Sequence, residues 1–181
     1  MQGSKVFISG RPGVGKTSAI ISLVKLLGKD KIAGFYTYEF RDPNGDRLGF
    51  YIEDFNGNRE IMAHKGLDSS LKVGSYGVDI RAIEKIALPA IERGVKERKI
   101  IIIDELGKME FMSGLFVRLA FSAICSDCTL IAAITAKPHP IADDFKKIPG
   151  VRIIEIDRKN RDLIPQMILD EIGTDLISII I

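Results

Sequence analysis

The stretch Gly10-Arg11-Pro12-Gly13-Val14-Gly15-Lys16-Thr17 stands directly behind the apolar run Val6-Phe7-Ile8. Gly-x-x-x-x-Gly-Lys-Thr is the spacing of a phosphate-binding loop, and its chemistry is anion capture. Gly10, Gly13 and Gly15 are expected to take backbone angles closed to other residues and to leave no side chain between main chain and ligand. Successive N–H groups then point inward at the start of a helix, where the dipole favours negative charge. Lys16 is placed to neutralise the β- and γ-phosphates of a nucleotide, and the Thr17 hydroxyl to hold Mg2+.

Such a loop needs an acid for its metal. Ile100 to Ile103 form an uncharged run that ends in Asp104-Glu105. Asp104 falls at the carboxyl end of a buried strand, where ligands of open α/β sheets collect, and is expected to orient Mg2+ through a bound water. Glu105, one residue on, is expected to face the γ-phosphate and polarise an attacking water. Thr135 ends the next apolar strand in the same manner and is a candidate to sense the γ-phosphate or that water. Lys108, Arg158 and Arg161 are candidates to supply charge to the transition state, and Phe35, Tyr36 and Tyr76 candidates to stack on a base. Asp104-Glu105-Leu106-Gly107 also fits the Asp-x-x-Gly of small GTPases. After the following strand, however, the chain reads Thr-Ala-Lys-Pro where a guanine-reading Asn-Lys-x-Asp would stand, so base discrimination is expected to be loose. Cys125 and Cys128 have no second pair, and the chain holds only two histidines, His64 and His139, so no metal or redox chemistry is assigned to them.

The elements that must position these groups follow from periodicity. A helix is expected from Lys16 to Leu27, with Gly28 as its stop. Aromatic and β-branched runs between Pro-Asn-Gly and Asn-Gly turns then read as antiparallel hairpins, an insertion near residues 33–63. Residues 65–77 show no period and are expected to be loop. A helix covers Asp79 to about Arg93, kinked at Pro89. Residues 99–104, 129–135 and 151–156 read as buried strands, separated by helices bearing Phe116, Leu119, Ala120 and Ala123 and then residues 142–147; a last helix starts near Asn160. Strands alternating with helices imply a mainly parallel sheet covered on both faces, an α/β fold. The whole of 1–181 is expected to be one domain.

Bulk composition sets limits on partners. A formal charge of +2 carries no electrostatic footprint for nucleic acid, although a local basic patch is compatible with it. The apolar runs are too short to span a bilayer and no targeting signal is read, so a soluble, cytoplasmic protein is expected. The apolar stretch Thr174 to Ile181 needs a partner surface, in its own chain or in another copy.

Taken in order, Gly10 to Thr17, Gly34-Phe35-Tyr36-Thr37-Tyr38-Glu39-Phe40-Arg41-Asp42, Gly49-Phe50, Val73 to Asp79, Ile100 to Phe111 and Lys159 to Pro165 resemble the small P-loop nucleoside-triphosphatases of thermophilic archaea and bacteria and the vertebrate cancer-related nucleoside-triphosphatase. The resemblance spans residues 5 to about 170, and Asp-Glu-Leu-Gly-Lys-Met-Glu-Phe is its most specific part. It implies a single RecA-like P-loop NTPase domain that hydrolyses ATP, GTP and other NTPs slowly with Mg2+. By motif match, residues 10–17 bind phosphate, Thr17 and Asp104 hold metal, and Lys16 and Glu105 are catalytic. Lys108, Glu110, Asn160 and Arg161 also fall on motif positions. The chain departs from the family at Ile134 to Pro140 and at its apolar end, which leaves Thr135 and the oligomeric state open. Two rival readings share the phosphate loop. One is a nucleotide or nucleoside kinase, whose lid would be the hairpins with Arg41; the other is an NTP-dependent regulatory or RNA-binding module.

With no base-reading element to leave polar groups unpaired against the wrong base, ATP and GTP should be hydrolysed within about tenfold of each other, roughly 1.4 kcal/mol of discrimination. Parallel kcat/KM measurements check this, and a thousandfold preference for either nucleotide contradicts it.

Overall fold

The computed structural model describes residues 3–173, so the apolar stretch from 174 lies outside the described residues. Strands β1 (Lys5–Gly10), β2 (Ile32–Arg41), β7 (Ile100–Leu106), β8 (Leu130–Thr135) and β9 (Val151–Glu155) pair in parallel. Strands β3 (Arg47–Asp54), β4 (Arg59–His64), β5 (Lys72–Val73) and β6 (Tyr76–Val78) extend the sheet from β2 in antiparallel fashion. The described residues thus form one nine-stranded sheet, ordered β5-β6-β4-β3-β2-β7-β8-β1-β9.

Successive side chains of a strand point to opposite faces, and the isoleucine run of β7 divides accordingly. Ile101 and Ile103 join Phe7, Ala132 and Phe116 in one core, while Ile100 and Ile102 join Val6, Ile8, Ile131 and Leu23 in the other. Helices α1 (Lys16–Leu27) and α5 (Ile164–Glu171) cover the second face; α2 (Ile80–Lys96), α3 (Gly114–Ile124) and α4 (Pro140–Lys146) cover the first. Among the described residues no helix is long and apolar enough to cross a membrane.

The antiparallel hairpins expected near 33–63 are present as β2, β3 and β4, and they continue the main sheet, since β2 pairs in parallel with β7 on one side and antiparallel with β3 on the other. Several expectations need correction. Part of 65–77 is strand, because β5 and β6 are too short to display alternation. Helix α2 runs on through Pro89 to Lys96, with the Asp79 carboxylate accepting from the Arg81 and Ala82 amides at its start. The last helix begins at Ile164 rather than near Asn160. Asn160 is occupied in the preceding loop, where Oδ1 accepts from the Asp157 amide at 2.8 Å and Nδ2 donates to the Glu155 carbonyl at 2.8 Å.

The junction between the two halves of the sheet depends on Gly34, at φ +118°, where a Cβ would overlap the carbonyl oxygen of Ile102. Gly34→Ala should therefore lower stability by about 3 kcal/mol or more. Gly45 also has positive φ, but its surroundings are open, and Gly45→Ala should cost about 1–2 kcal/mol of backbone strain alone. Urea denaturation of both variants checks the difference.

Candidate active site

Sheet order decides which strand ends meet. Strand β8 lies between β7 and β1, so the carboxyl ends of β7 and β1 are two strand spacings apart, roughly 10 Å. Gly10 is level with Thr135 across β1 and β8, which places the loop after β1 over the end of β8 and toward β7.

Within the loop Gly13 (φ 74°) and Gly15 (φ 114°) hold the left-handed angles expected of them. Gly10 does not. It is glycine because a Cβ there would lie 2.6 Å from Ile156 Cγ2 and 2.7 Å from the Ile156 carbonyl oxygen. Arg11 and Pro12 are exposed, and Val14 packs on the core beneath α1. Lys16 opens α1, is 8% exposed, and reaches back across the loop to donate to the Gly10 carbonyl at 3.1 Å.

Strand β7 brings the acids. Its register on β8 runs from Ile103–Ala132 to Leu106–Ile134, so one extra residue is accommodated at Asp104 and Glu105. A bulge of this sort suspends the strict alternation of faces. Both neighbouring carboxyls therefore serve the same strand end: Glu105 Oε1 lies 3.9 Å from Lys16 Nζ, and Asp104 is hydrogen-bonded by the Thr17 side chain. The peptide joining the two acids is cis. The β2–β7 ladder ends at Phe35–Ile103, and beyond it the Thr37 amide donates to the Asp104 carboxylate.

Asp104 is 1% exposed, and its Oδ2 has no hydrogen-bond partner. Burial pushes its carboxyl up to about 7, helped by the charge of Glu105 and opposed by Thr17, the Lys16 ammonium and the Thr37 amide. A buried acid with an unpaired oxygen beside a threonine hydroxyl is a fit for a hard divalent cation, since these take oxygen ligands. Thr17 and Asp104 would hold Mg2+, with phosphate and water oxygens completing its shell. Among the described residues no cluster of three or more acids, histidines or cysteines offers a metal site.

Glu110, in the short 3₁₀ turn Glu110–Met112, is buried behind Glu105. Burial, and then the Glu105 charge, pushes its carboxyl up to about 8, while the Gly107 and Glu110 amides donate to it. Gly107 separates the two acids: a Cβ there would come within 3.1 Å of Glu110 Oε2 and 3.4 Å of Glu105 Cγ.

The other candidates fall apart in space. Lys108 and Thr135 line the cavity beyond Glu105. Arg161 lies elsewhere, 3.4 Å from where a Gly15 Cβ would be, on the wall of a groove of ≈ 670 Å³ shared with Ser18, Ser22 and Gln166. Arg158 is exposed. Phe35 is core and packs edge-on against Phe116, Tyr36 stacks between Tyr38 and Phe55, and Tyr76 packs edge-on against Phe50. Arg41 is tied to its own hairpin through Glu39 and the Gly45 carbonyl, so it makes no free lid. Both cysteines are unpaired thiols. Thr37, Gly107 and His139 belong to the site and were missed. Their roles are a backbone amide, a missing side chain and a lone ring nitrogen, none of which has a spacing signal.

A family profile described as NTPase matches residues 5–169. The chain is 40% identical over 173 residues to nucleoside-triphosphatase THEP1 of Aquifex aeolicus, covering 91% of this chain and 97% of that protein. It is 30% identical over 179 residues to the human cancer-related nucleoside-triphosphatase, covering 90% and 94%. The crystal structure of THEP1 from Aquifex aeolicus matches with a TM-score of 0.86 at 38% identity, over 93% of this chain and 98% of that one.

Asp104 has a testable cost in the ligand-free protein. Its carboxyl titrates near 7 when folded and at its ordinary 3.8 when unfolded, so the native state binds the extra proton between those values. The group therefore costs nothing below about pH 4, costs more as pH rises, and levels off above about pH 7. Without metal or nucleotide, Asp104→Asn should melt above the parent at about pH 8 and with it below about pH 4. Coincident melting curves at both pH values would contradict an unpaired buried acid.

Proposed function

The chain belongs to the NTPase family and hydrolyses nucleoside triphosphates; we propose that it does so with Mg2+, through Lys16 and Glu105, and with little regard for the base. The observation that carries this is the meeting, at one strand end, of the Lys16 ammonium, the Glu105 carboxylate 3.9 Å from it, and the buried Asp104 with an unpaired oxygen.

The loop amides of residues 10–17 bind the phosphates, and Lys16 Nζ exchanges the Gly10 carbonyl for β- and γ-phosphate oxygens. Thr17 and Asp104 would hold Mg2+, which would supply charge neutralisation to those oxygens. Glu105 orients a water in line with the γ-phosphorus and takes its proton on a carboxylate oxygen as the bond to the β–γ bridging oxygen breaks. The sugar and base are assigned to the groove beside Gly15. There the Arg161 guanidinium offers a flat cationic face to any base, which suits loose base choice. A cytoplasmic location and action on ATP and GTP alike belong to the same reading.

Glu105→Gln keeps the shape of the side chain and loses the base. It should bind Mg·ATP about as tightly as the parent and hydrolyse it about 10²- to 10⁴-fold more slowly, roughly 3–5 kcal/mol in the barrier. Single-turnover hydrolysis alongside calorimetric binding tests this. Turnover within about threefold of the parent would remove Glu105 from the chemistry.

A further inference from the structure

Glu105 is a wall shared by two spaces. On one side stands Lys16; on the other a cavity of ≈ 300 Å³ opens between the end of the parallel strands and the antiparallel arm. Pro12, Glu105 and Thr135 face it from the phosphate side. Phe50, Met62 and Val73 from the arm, and Met109 from the segment after β7, give it an apolar wall. Lys108 and Lys137 also line it, and both are exposed to solvent. Glu110 and His139 add polar groups to the lining, and the buried Nδ1 of His139 has no hydrogen-bond partner.

Hydrolysis needs room for one water, whose share of liquid volume is about 30 Å³. The space beyond Glu105 is about tenfold larger, and its volume is that of a small-molecule site at the lower end of the usual range. A wall built of two methionines, a valine and a phenylalanine gains nothing from facing water and suits a hydrocarbon body. The two ammonium groups suit an anionic end, and Glu105, the base proposed above for water, also lines the cavity.

We propose that this cavity is an acceptor site for a small hydroxy acid with an apolar body, and that the chain transfers the γ-phosphoryl group to its hydroxyl in competition with water. The proposal rests on the nucleotide site described above. The acceptor oxygen forms a bond to the γ-phosphorus as the bond to the β–γ bridging oxygen breaks. The leaving electron pair stays on the nucleoside diphosphate, and the hydroxyl proton passes to Glu105. The products are a phosphomonoester and a diphosphate in equal amounts, with no other reactant.

The test is phosphorus NMR of the full chain turning over Mg·ATP in excess lactate, glycerate or hydroxybutyrate, with uncharged glycerol beside them. A phosphomonoester signal with a hydroxy acid is expected, with diphosphate exceeding free phosphate, and about tenfold less ester from glycerol. Val73→Trp, which fills the cavity from the arm, should lower the ester-to-phosphate ratio about tenfold or more. Lys137→Gln, an exposed change that leaves the core untouched, should erase the preference for acids over glycerol. Equal diphosphate and free phosphate with every hydroxy acid overturns the acceptor site and leaves the hydrolase intact. Ester formation indifferent to both substitutions overturns the cavity as its location. Absence of any nucleotide breakdown without acceptor fails the hydrolase reading instead.

Discussion

Two opposite charges withdrawn from water set the terms for the rest of the molecule. Lys16 and Asp104 are both almost fully buried at the end of the sheet. Burying either costs several kcal/mol unless its polar atoms find partners. The chain supplies most of them from its backbone: the Gly10 carbonyl takes the ammonium, and the Thr37 amide joins the Thr17 side chain on the carboxyl. One carboxyl oxygen is left over. That oxygen makes the carboxyl costly to bury, a cost that a bound cation would relieve.

That arrangement explains why the antiparallel arm belongs to the site and not merely to the fold. Gly34 lets β2 come close enough to β7 to continue the sheet, Phe35 anchors it in the core, and the Thr37 amide reaches the Asp104 carboxylate. Three of four consecutive residues in one strand carry separate duties at the seam. Phe50 and Met62, one and two strands further out, then wall the space beyond Glu105.

Much of this was legible in the sequence where a residue type and a spacing carry the signal. Lys16, Thr17, Asp104 and Glu105 do gather at one strand end, and α1 has the bounds its periodicity and Gly28 dictate. The bulge at Asp104 was not legible, since it exists only as a register against β8. Nor was the continuity of the sheet, because hairpin signals are local and the β2–β7 pairing joins residues far apart in the chain. Gly10 lacks the left-handed angle expected of it, and its need to be glycine is visible instead in Ile156, a neighbour that only the folded chain supplies. Arg161 shared its rationale with Lys108 and Arg158 as a cation of the right sign, and only position separates them.

Strand β1, which leads into the phosphate loop, has its two neighbours in the last third of the chain: Lys5 is level with Leu130 on one side and Val151 on the other. During synthesis β1 must wait until β8, which begins at Leu130, has been made before it has a strand to pair with. The hairpins of β2, β3 and β4 close over short loops and need no such delay. The arm is therefore made early and the phosphate loop gains its floor late. A chain still lacking β8 has no neighbouring strand under the phosphate loop, and a ligand of that loop would stabilise only the folded form.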